Sequence, residues 1–161
     1  LSIGVMSLIG NACGEKNFSL ASHITLSAIK IALGFAFIAS IIFIGFSDYL
    51  VQSFMIPTES SAYRLAIFMI GMLPLYCVFD AINFVFSATL RACGDTLFCL
   101  KINAAGQWVC LFICFYGAFY LHFSPETLWS LFIITLSIQS LFLVCRYLKG
   151  AWKEEKSLKM N

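Results

Sequence analysis

One acidic residue, Asp80, lies in the middle of a long apolar stretch of the sequence. Polar side chains recur around it at spacings of three and four residues, which places them on one face of a helix. The stripe consists of Tyr76, Cys77, Asp80, Asn83, Ser87 and Arg91. Inserting a carboxylate at the centre of a bilayer costs about 2.5–3.5 kcal/mol, so such residues are functional by default. The pattern predicts that Asp80 binds a coupling cation or proton inside a membrane helix.

The depth of Asp80 follows from its distance to Arg91. Eleven residues at about 1.5 Å each span roughly 16 Å, which is half of a hydrocarbon core of about 30 Å. A structural alternative is an interhelical hydrogen bond from a protonated Asp80, worth about 1 kcal/mol. The candidate cavity-lining residues are Tyr76, Asn83, Ser87, Asn103 and Gln107. For Asn103 and Gln107, and for Gln139 on the last span, hydrogen bonds between packed helices are the favoured interpretation.

The elements that position these residues are membrane spans. Of the 161 residues, 61% are hydrophobic and only 11% are charged, whereas soluble domains carry about 25% charged residues. The uncharged windows are long enough to cross a bilayer as helices. We therefore expect an all-α polytopic membrane protein, with a separate interfacial helix over Phe18–Lys30. The expected spans are 1–13 (partial), 30–47, 62–90, 97–121 and 127–146, followed by a tail over 147–161.

Basic residues indicate how the spans are oriented. Nine basic residues alternate along the chain with a connection that holds only Arg64: Lys16, Lys30, Arg91, Lys101, Arg146 and the four lysines of the tail. Because lysine and arginine accumulate inside, nine of ten basic residues place the C-terminus in the cytoplasm. A basic tail directly after a span is interpreted as a topology anchor on lipid, not as a nucleic-acid site. We expect a multi-pass protein of the plasma membrane (the inner membrane in bacteria).

The seven cysteines form no Cys-x-x-Cys pair, and no histidine lies at metal-ligand spacing from them. We therefore expect no metal site, and the odd number argues against a disulfide framework. The chain also begins without methionine and within an apolar run, which predicts a piece of a longer protein. A secretory signal peptide does not fit, because apolar segments recur along the whole chain.

Residues 90–96 read LRACGDT and join two of the spans. Gly94 permits the positive φ that a tight turn requires. Arg91 faces the negative end of the preceding helix dipole, and Asp95 is expected to cap the next helix, which begins after it near Thr96. On these residues alone, the stretch is a well-capped turn that carries a charge on the cytoplasmic side of the membrane.

This turn resembles the LRGxGDT signature of multidrug and toxic compound extrusion (MATE) transporters. Ser7–Asn17 is similar to a second stretch of that family, S-x-x-G-x-x-x-G-x-x-[DN], through Gly10 and Gly14. Two small residues four apart also permit a neighbouring backbone to approach closely. The resemblance implies the last five helices of a twelve-helix transporter: the second six-helix bundle, with its first helix missing or truncated. Asp80 falls where NorM-type members carry a cation-site aspartate.

The resemblance implies secondary active efflux of organic, often cationic, drugs or metabolites in exchange for Na⁺ or H⁺ by alternating access. The implied partners are membrane lipids, a small organic substrate and the missing N-terminal half, with no cofactor beyond the coupling ion. One alternative is a lipid-linked oligosaccharide flippase, which would require several basic residues inside the cavity. A membrane enzyme would need paired acids or a histidine cluster at one depth. A structural membrane subunit is a further alternative.

Overall fold

The computed structural model describes residues 2–54, 58, 60–150 and 152. These residues form helices and turns, and no strand occurs among them. The all-α class is therefore confirmed. In chain order the helices are α1 (Ser2–Gly14), α2 (Phe18–Gly45), α3 (Ser47–Ser53), α4 (Ser61–Ala92), α5 (Thr96–Phe119) and α6 (Pro125–Leu148).

Side-chain caps mark where three of the helices begin. Asn17 accepts a hydrogen bond from the Leu20 amide at 3.1 Å and starts α2. Ser60 caps α4 in the same way, and Ser124 caps α6 just before Pro125. Each cap satisfies an amide that has no partner within its own helix. The polar clusters of the sequence therefore define the helix starts.

Within the described residues, α2, α4, α5 and α6 are long and apolar enough to cross a membrane. The helix expected over Phe18–Lys30 is not separate, because α2 is continuous from Phe18 to Gly45. The polar residues there do not break the helix: the Thr25 hydroxyl bonds the Ala21 carbonyl of its own helix. At 28 residues, α2 is about 42 Å long and exceeds the thickness of a hydrocarbon core.

Helix α4 is the centre of the bundle and contacts all the other described helices. It packs most extensively against α2 and α6. Thr89 of α4 lies 3.3 Å from Thr25 of α2, hydroxyl to hydroxyl, and both side chains are fully buried. On the other side, the Ser140 hydroxyl of α6 donates to the Phe79 carbonyl at 2.9 Å. Side-chain hydrogen bonds thus tie α4 to both neighbours.

The hydrophobic core lies at one end of this bundle. It consists of Val5, Ile9, Ala12, Cys13, Ala21, Ala28, Val85, Leu90, Cys93, Cys99, Leu143 and Trp152. These residues come from α1, from the first half of α2, from the start of α5, and from the ends of α4 and α6 with the residues that follow them. Trp152 is 1% exposed and its indole N–H donates to the Tyr147 carbonyl, so it is a core residue.

Pro74 lies inside α4 and leaves the Ile70 carbonyl without its helical donor, because proline has no N–H. Around it, α2 and α4 enclose an apolar groove of about 860 Å³. Gly34, Phe37 and Ile44 line this groove from α2, and Gly71 and Pro74 line it from α4. The bundle is therefore loosely filled at the level of Pro74 and densely packed at the opposite end of α4.

The glycines of α1 do not make the close helix contact expected from their spacing. A Cβ atom built at Gly10 or Gly14 meets nothing within 4 Å in the described part of the chain. The contact face of α1 is carried instead by Ile9, Ala12 and Cys13, which are 0–2% exposed. The helix turns its larger side chains toward the core, and both glycines lie off that face.

Candidate functional site

The polar stripe of α4 is formed by the structure, with Asp80 half-buried near its middle. Among the described residues, no hydrogen bond or ion pair joins the Asp80 carboxylate to another side chain. A carboxylate within a helix bundle normally has a partner, because burying a bare charge is costly. The Asp80 carboxylate is therefore open to a proton, a cation or water.

One helical turn before Asp80, an aromatic cluster joins α4 to α6. Tyr76 stacks on Trp129 with ring centroids 6.4 Å apart and on Phe132 at 5.9 Å. Trp129 and Phe132 also stack on each other at 5.7 Å. Aromatic faces attract organic cations through their quadrupoles. The spacing of the stripe predicts Tyr76, whereas Trp129 and Phe132 carry only a Trp-x-x-Phe spacing on an apolar helix.

About two turns after Asp80, the structure brings Ser87 and Asn103 together. The Asn103 amide donates to the Ser87 hydroxyl at 3.4 Å across the α4–α5 contact. Ser87 is 3% exposed, and its carbonyl accepts a hydrogen bond from Arg91 at 3.1 Å. This part of the stripe is closed by its own hydrogen bonds, so both residues act in helix packing.

Two amide nitrogens near the stripe are buried and have no partner among the described residues: Asn83 Nδ2 and Gln139 Nε2. Gln139 belongs to α6 and is only 4% exposed. Buried amide donors normally find a protein or water partner. Asn83 and Gln139 therefore leave two unpaired donors inside the bundle, and the Gln139 amide lies against Gly106 of α5.

Gln107 does not join this stripe. It is exposed on α5 and lines a shallow cavity of about 370 Å³ with Trp108, Cys110, Leu111 and Cys114. None of the α4 stripe residues lines that cavity. Gln107 therefore lies outside the stripe: its side chain is exposed, whereas Asn103 is partly buried and contacts Ser87.

The LRACGDT turn differs from its expected form in one respect. Gly94 has a φ of 99°, the positive value that the sequence predicted. Asp95 is the first residue before α5, but its side chain makes no capping hydrogen bond with Thr96 or the amides after it. Instead, the Asp95 carboxylate accepts a hydrogen bond from Arg146 Nε at 2.8 Å. The capping expectation was wrong because a charged partner from α6 competes for the same carboxylate.

This ion pair ties the α4–α5 turn to the end of α6. Asp95 is 3% exposed, and the Arg146 guanidinium lies 4.8 Å from the Phe98 ring centre. From the sequence, Arg146 is expected only to act with the basic tail as a topology anchor. The position of Arg146 was the available indication of this contact. It is the first charged residue after an uncharged span, so its side chain can reach back into the bundle.

Cysteine pairing also differs from the sequence expectation. Cys13 and Cys93 form a disulfide, with Cα atoms 5.8 Å apart and a sequence separation of 80. The expectation from the odd number of cysteines was wrong, because that number does not tell which cysteines the fold brings together. In the part of the chain that the structure describes, no cluster of three or more His, Cys, Asp or Glu side chains could hold a metal ion.

The packing of α5 against α6 gives a first testable prediction. A Cβ atom at Gly106 would overlap the Gln139 amide. We expect Gly106→Ala to destabilise the protein by about 1–3 kcal/mol, as overpacking does. Adding Gln139→Ala should recover most of the loss by removing the overlapping group. Thermal unfolding in detergent measures both variants.

The matched control for that prediction is Gly34→Ala on α2, where a Cβ meets nothing within 4 Å. It should leave the unfolding temperature unchanged or slightly raised, since alanine favours a helix over glycine. An equal loss in Gly34→Ala and Gly106→Ala would show that helix glycines, and not the contact with Gln139, set the stability.

Comparison with known proteins adds one finding. A family model described as MatE matches residues 1–117, which includes α1 to α4, both motif stretches and Asp80. No curated protein and no solved structure matches the chain.

Proposed function

Because the chain belongs to the MatE family of transporters, we propose that it is the C-terminal half of a NorM-like exporter of organic cations coupled to Na⁺ or H⁺. In this proposal Asp80 binds the coupling ion and Tyr76, Trp129 and Phe132 receive the organic cation. Alternating access then moves this bundle against an N-terminal half. Binding is the only chemistry required, so no cofactor is needed beyond the coupling ion.

The observation that carries the proposal is the unpartnered Asp80 carboxylate beside the aromatic cluster. A negative charge at this position attracts either a small cation or a cationic drug, and the two compete for it. Such competition is what exchange requires, since ion binding then favours drug release. The unpaired amides of Asn83 and Gln139 supply polar groups that water or substrate can satisfy at the same level.

The proposal is tested with the full-length transporter in proteoliposomes that carry an imposed Na⁺ or pH gradient. Ethidium serves as the organic cation. We expect gradient-dependent ethidium movement that stops when an ionophore collapses the gradient. Ethidium movement that is equal with and without a gradient would reject coupled export.

The orientation of the bundle is part of the same proposal. The α1–α2 connection, the α4–α5 turn and the end of α6 lie at one end of the bundle, joined by Cys13–Cys93 and Asp95–Arg146. Those segments carry most of the lysine and arginine, which supports a cytoplasmic position for this end. We place the protein in the plasma membrane, or the inner membrane of a bacterium, with its C-terminus inside.

We therefore predict that a cysteine introduced at Ser157 is protected from an impermeant thiol reagent added to intact cells. Thr58, in the connection between α3 and α4, is the matched position for the opposite side and should react. Both are measured on a background without other cysteines. Labelling at Ser157 together with protection at Thr58 would show that the topology is inverted.

A further inference from the structure

The disulfide between Cys13 and Cys93 joins the two motif stretches of the chain. Cys13 lies in the last turn of α1, and Cys93 is the residue that ends α4. Both occupy positions that the family patterns S-x-x-G-x-x-x-G and LRGxGDT leave free. Their Cα distance of 5.8 Å lies within the range of about 4.4–6.8 Å that a disulfide needs. The pairing therefore uses positions at which neither pattern requires a particular residue.

The bond lies in the core end of the bundle, where other ties converge. Cys13 and Cys93 are 1% and 0% exposed. Two residues after Cys93, the ion pair of Asp95 with Arg146 joins the same turn to α6. Among the described residues, no side-chain hydrogen bond or ion pair joins α1 to the α4–α5 turn. The disulfide is thus the covalent tie between α1 and the turn, and without it that contact depends on apolar packing.

We propose that Cys13 and Cys93 are a reversible redox pair. When oxidised, the pair links α1 covalently to the α4–α5 turn and slows export. The proposed topology places the pair at the cytoplasmic end, where thiols are normally kept reduced and disulfides are transient. Burial admits a small oxidant such as a peroxide more readily than a bulky disulfide. The reduced pair is therefore the working state, and the bond forms under oxidative stress.

The chemistry balances as follows. One thiolate attacks the peroxide, forming a sulfenic acid and, with a proton, one water. The second thiol attacks that sulfur, the disulfide forms and a second water leaves. The two thiols lose two electrons and two protons, and hydrogen peroxide becomes two waters. Two molecules of a low-molecular-weight thiol reverse the step through a mixed disulfide and are themselves oxidised to their disulfide.

The effect on export rests on the proposed function, whereas formation of the bond does not. A transporter that alternates access must let elements of the bundle shift against each other. A covalent link between α1 and the turn restricts one such shift, and it adds to the Asp95–Arg146 tie on the same turn. Oxidation should therefore slow export without changing which substrates bind.

The first test measures the bond in the full-length protein in membranes. After mild hydrogen peroxide, we expect two fewer cysteines to react with a maleimide of high mass under denaturing conditions, and dithiothreitol should restore them. Cys13→Ala and Cys93→Ala should each abolish the change. Cys145→Ala should keep it, because Cys145 is exposed and free. Cys99 is the free buried cysteine nearest in sequence to Cys93, so it is the candidate for thiol–disulfide exchange with the pair. Cys99→Ala should also retain the loss of two reactive cysteines.

The second test measures ethidium export from the same proteoliposomes before and after peroxide. We expect about a fivefold slower rate when the pair is oxidised, the lower end of typical coupling effects, and no slowing in Cys13→Ala. Equal rates in both redox states overturn the regulatory role. Persistence of both free thiols under peroxide overturns the redox pair itself. Absence of export in the reduced wild type rejects the proposed function, while alkylation still decides whether the pair forms.

Discussion

Asp80→Asn is expected to abolish ion-coupled export while leaving the amount of folded protein unchanged. Asparagine has nearly the same size as aspartate and can still form hydrogen bonds, but it carries no negative charge. A coupling site needs the charge, whereas an assembly role needs only a polar group. We expect gradient-driven ethidium export to fall about a hundredfold, the effect of losing roughly 2.8 kcal/mol of cation binding.

The structure supports this separation of roles. Asp80 makes no hydrogen bond to other described residues, so its replacement by an amide breaks no contact that holds α4 in place. Folding is instead maintained by α4 residues further along the helix, such as Thr89 and Leu90, which are fully buried. Removing the charge also removes the cost of placing it in the membrane, so accumulation should not decrease.

Two variants make the Asp80 experiment specific. Asp80→Glu should retain part of the activity with an altered dependence on Na⁺ or pH, because the charge remains but is displaced by one methylene. Asp48→Asn is the matched control: it makes the same substitution at an exposed carboxylate, and the amide can still accept the hydrogen bond of the Tyr63 hydroxyl. Wild-type export by Asp80→Asn would remove Asp80 from coupling, and loss of folded protein would favour the structural alternative.

The second large effect is expected at the ion pair of the LRACGDT turn. Arg146→Ala leaves the buried Asp95 carboxylate without the partner that lies 2.8 Å away. Stranding a buried charge costs about 3–5 kcal/mol. Because the Arg146 side chain is 32% exposed, solvent reduces that cost, and we expect a loss of about 2–3 kcal/mol. Thermal unfolding in detergent should show it as a clearly lowered midpoint.

A double-mutant cycle distinguishes the ion pair from general packing. Arg146→Ala leaves the Asp95 charge without a partner, and Asp95→Ala removes that charge. The free energy of unfolding of the double variant should therefore fall by less than the sum of the two single losses. Lys149→Ala is the control for basic charge at the same end, since Lys149 is exposed, and it should stay within about 0.5 kcal/mol of wild type. Strict additivity, or an equal loss in Lys149→Ala, would contradict a role for this pair.

The sequence predicted the fold because its strongest signals are local. Uncharged windows of span length, the Ser and Asn caps and the glycine of the turn each act within a few residues. The same reasoning placed Tyr76, Asp80, Asn83 and Ser87 on one face of α4. It also placed Asn103 on the next helix, where the amide does reach Ser87. These residues were predictable because helix periodicity alone decides which of them share a face.

Contacts between distant parts of the chain were not predictable in this way. Asp95 was expected to cap its own helix, yet Arg146, 51 residues away, takes its carboxylate. Cys13 and Cys93 are 80 residues apart, and nothing in their spacing identifies them as partners. Gly10 and Gly14 match a packing pattern, but the rotation of α1 directs other side chains to the core. Each of these outcomes depends on how helices are oriented, which a single sequence does not encode locally.

Pro74 divides α4 into a fixed segment and an arm that can bend relative to it. The end of the helix near Val85–Leu90 is fixed by burial and by its ties to α1, α2 and α6. From Ser61 to Pro74 the helix forms an arm about 20 Å long. A bend of about 10° at Pro74, where proline weakens the helix, would displace the Ser61 end by about 3 Å. The Tyr63–Asp48 hydrogen bond would carry α3 with it, while Asp80, on the fixed side, would keep its place.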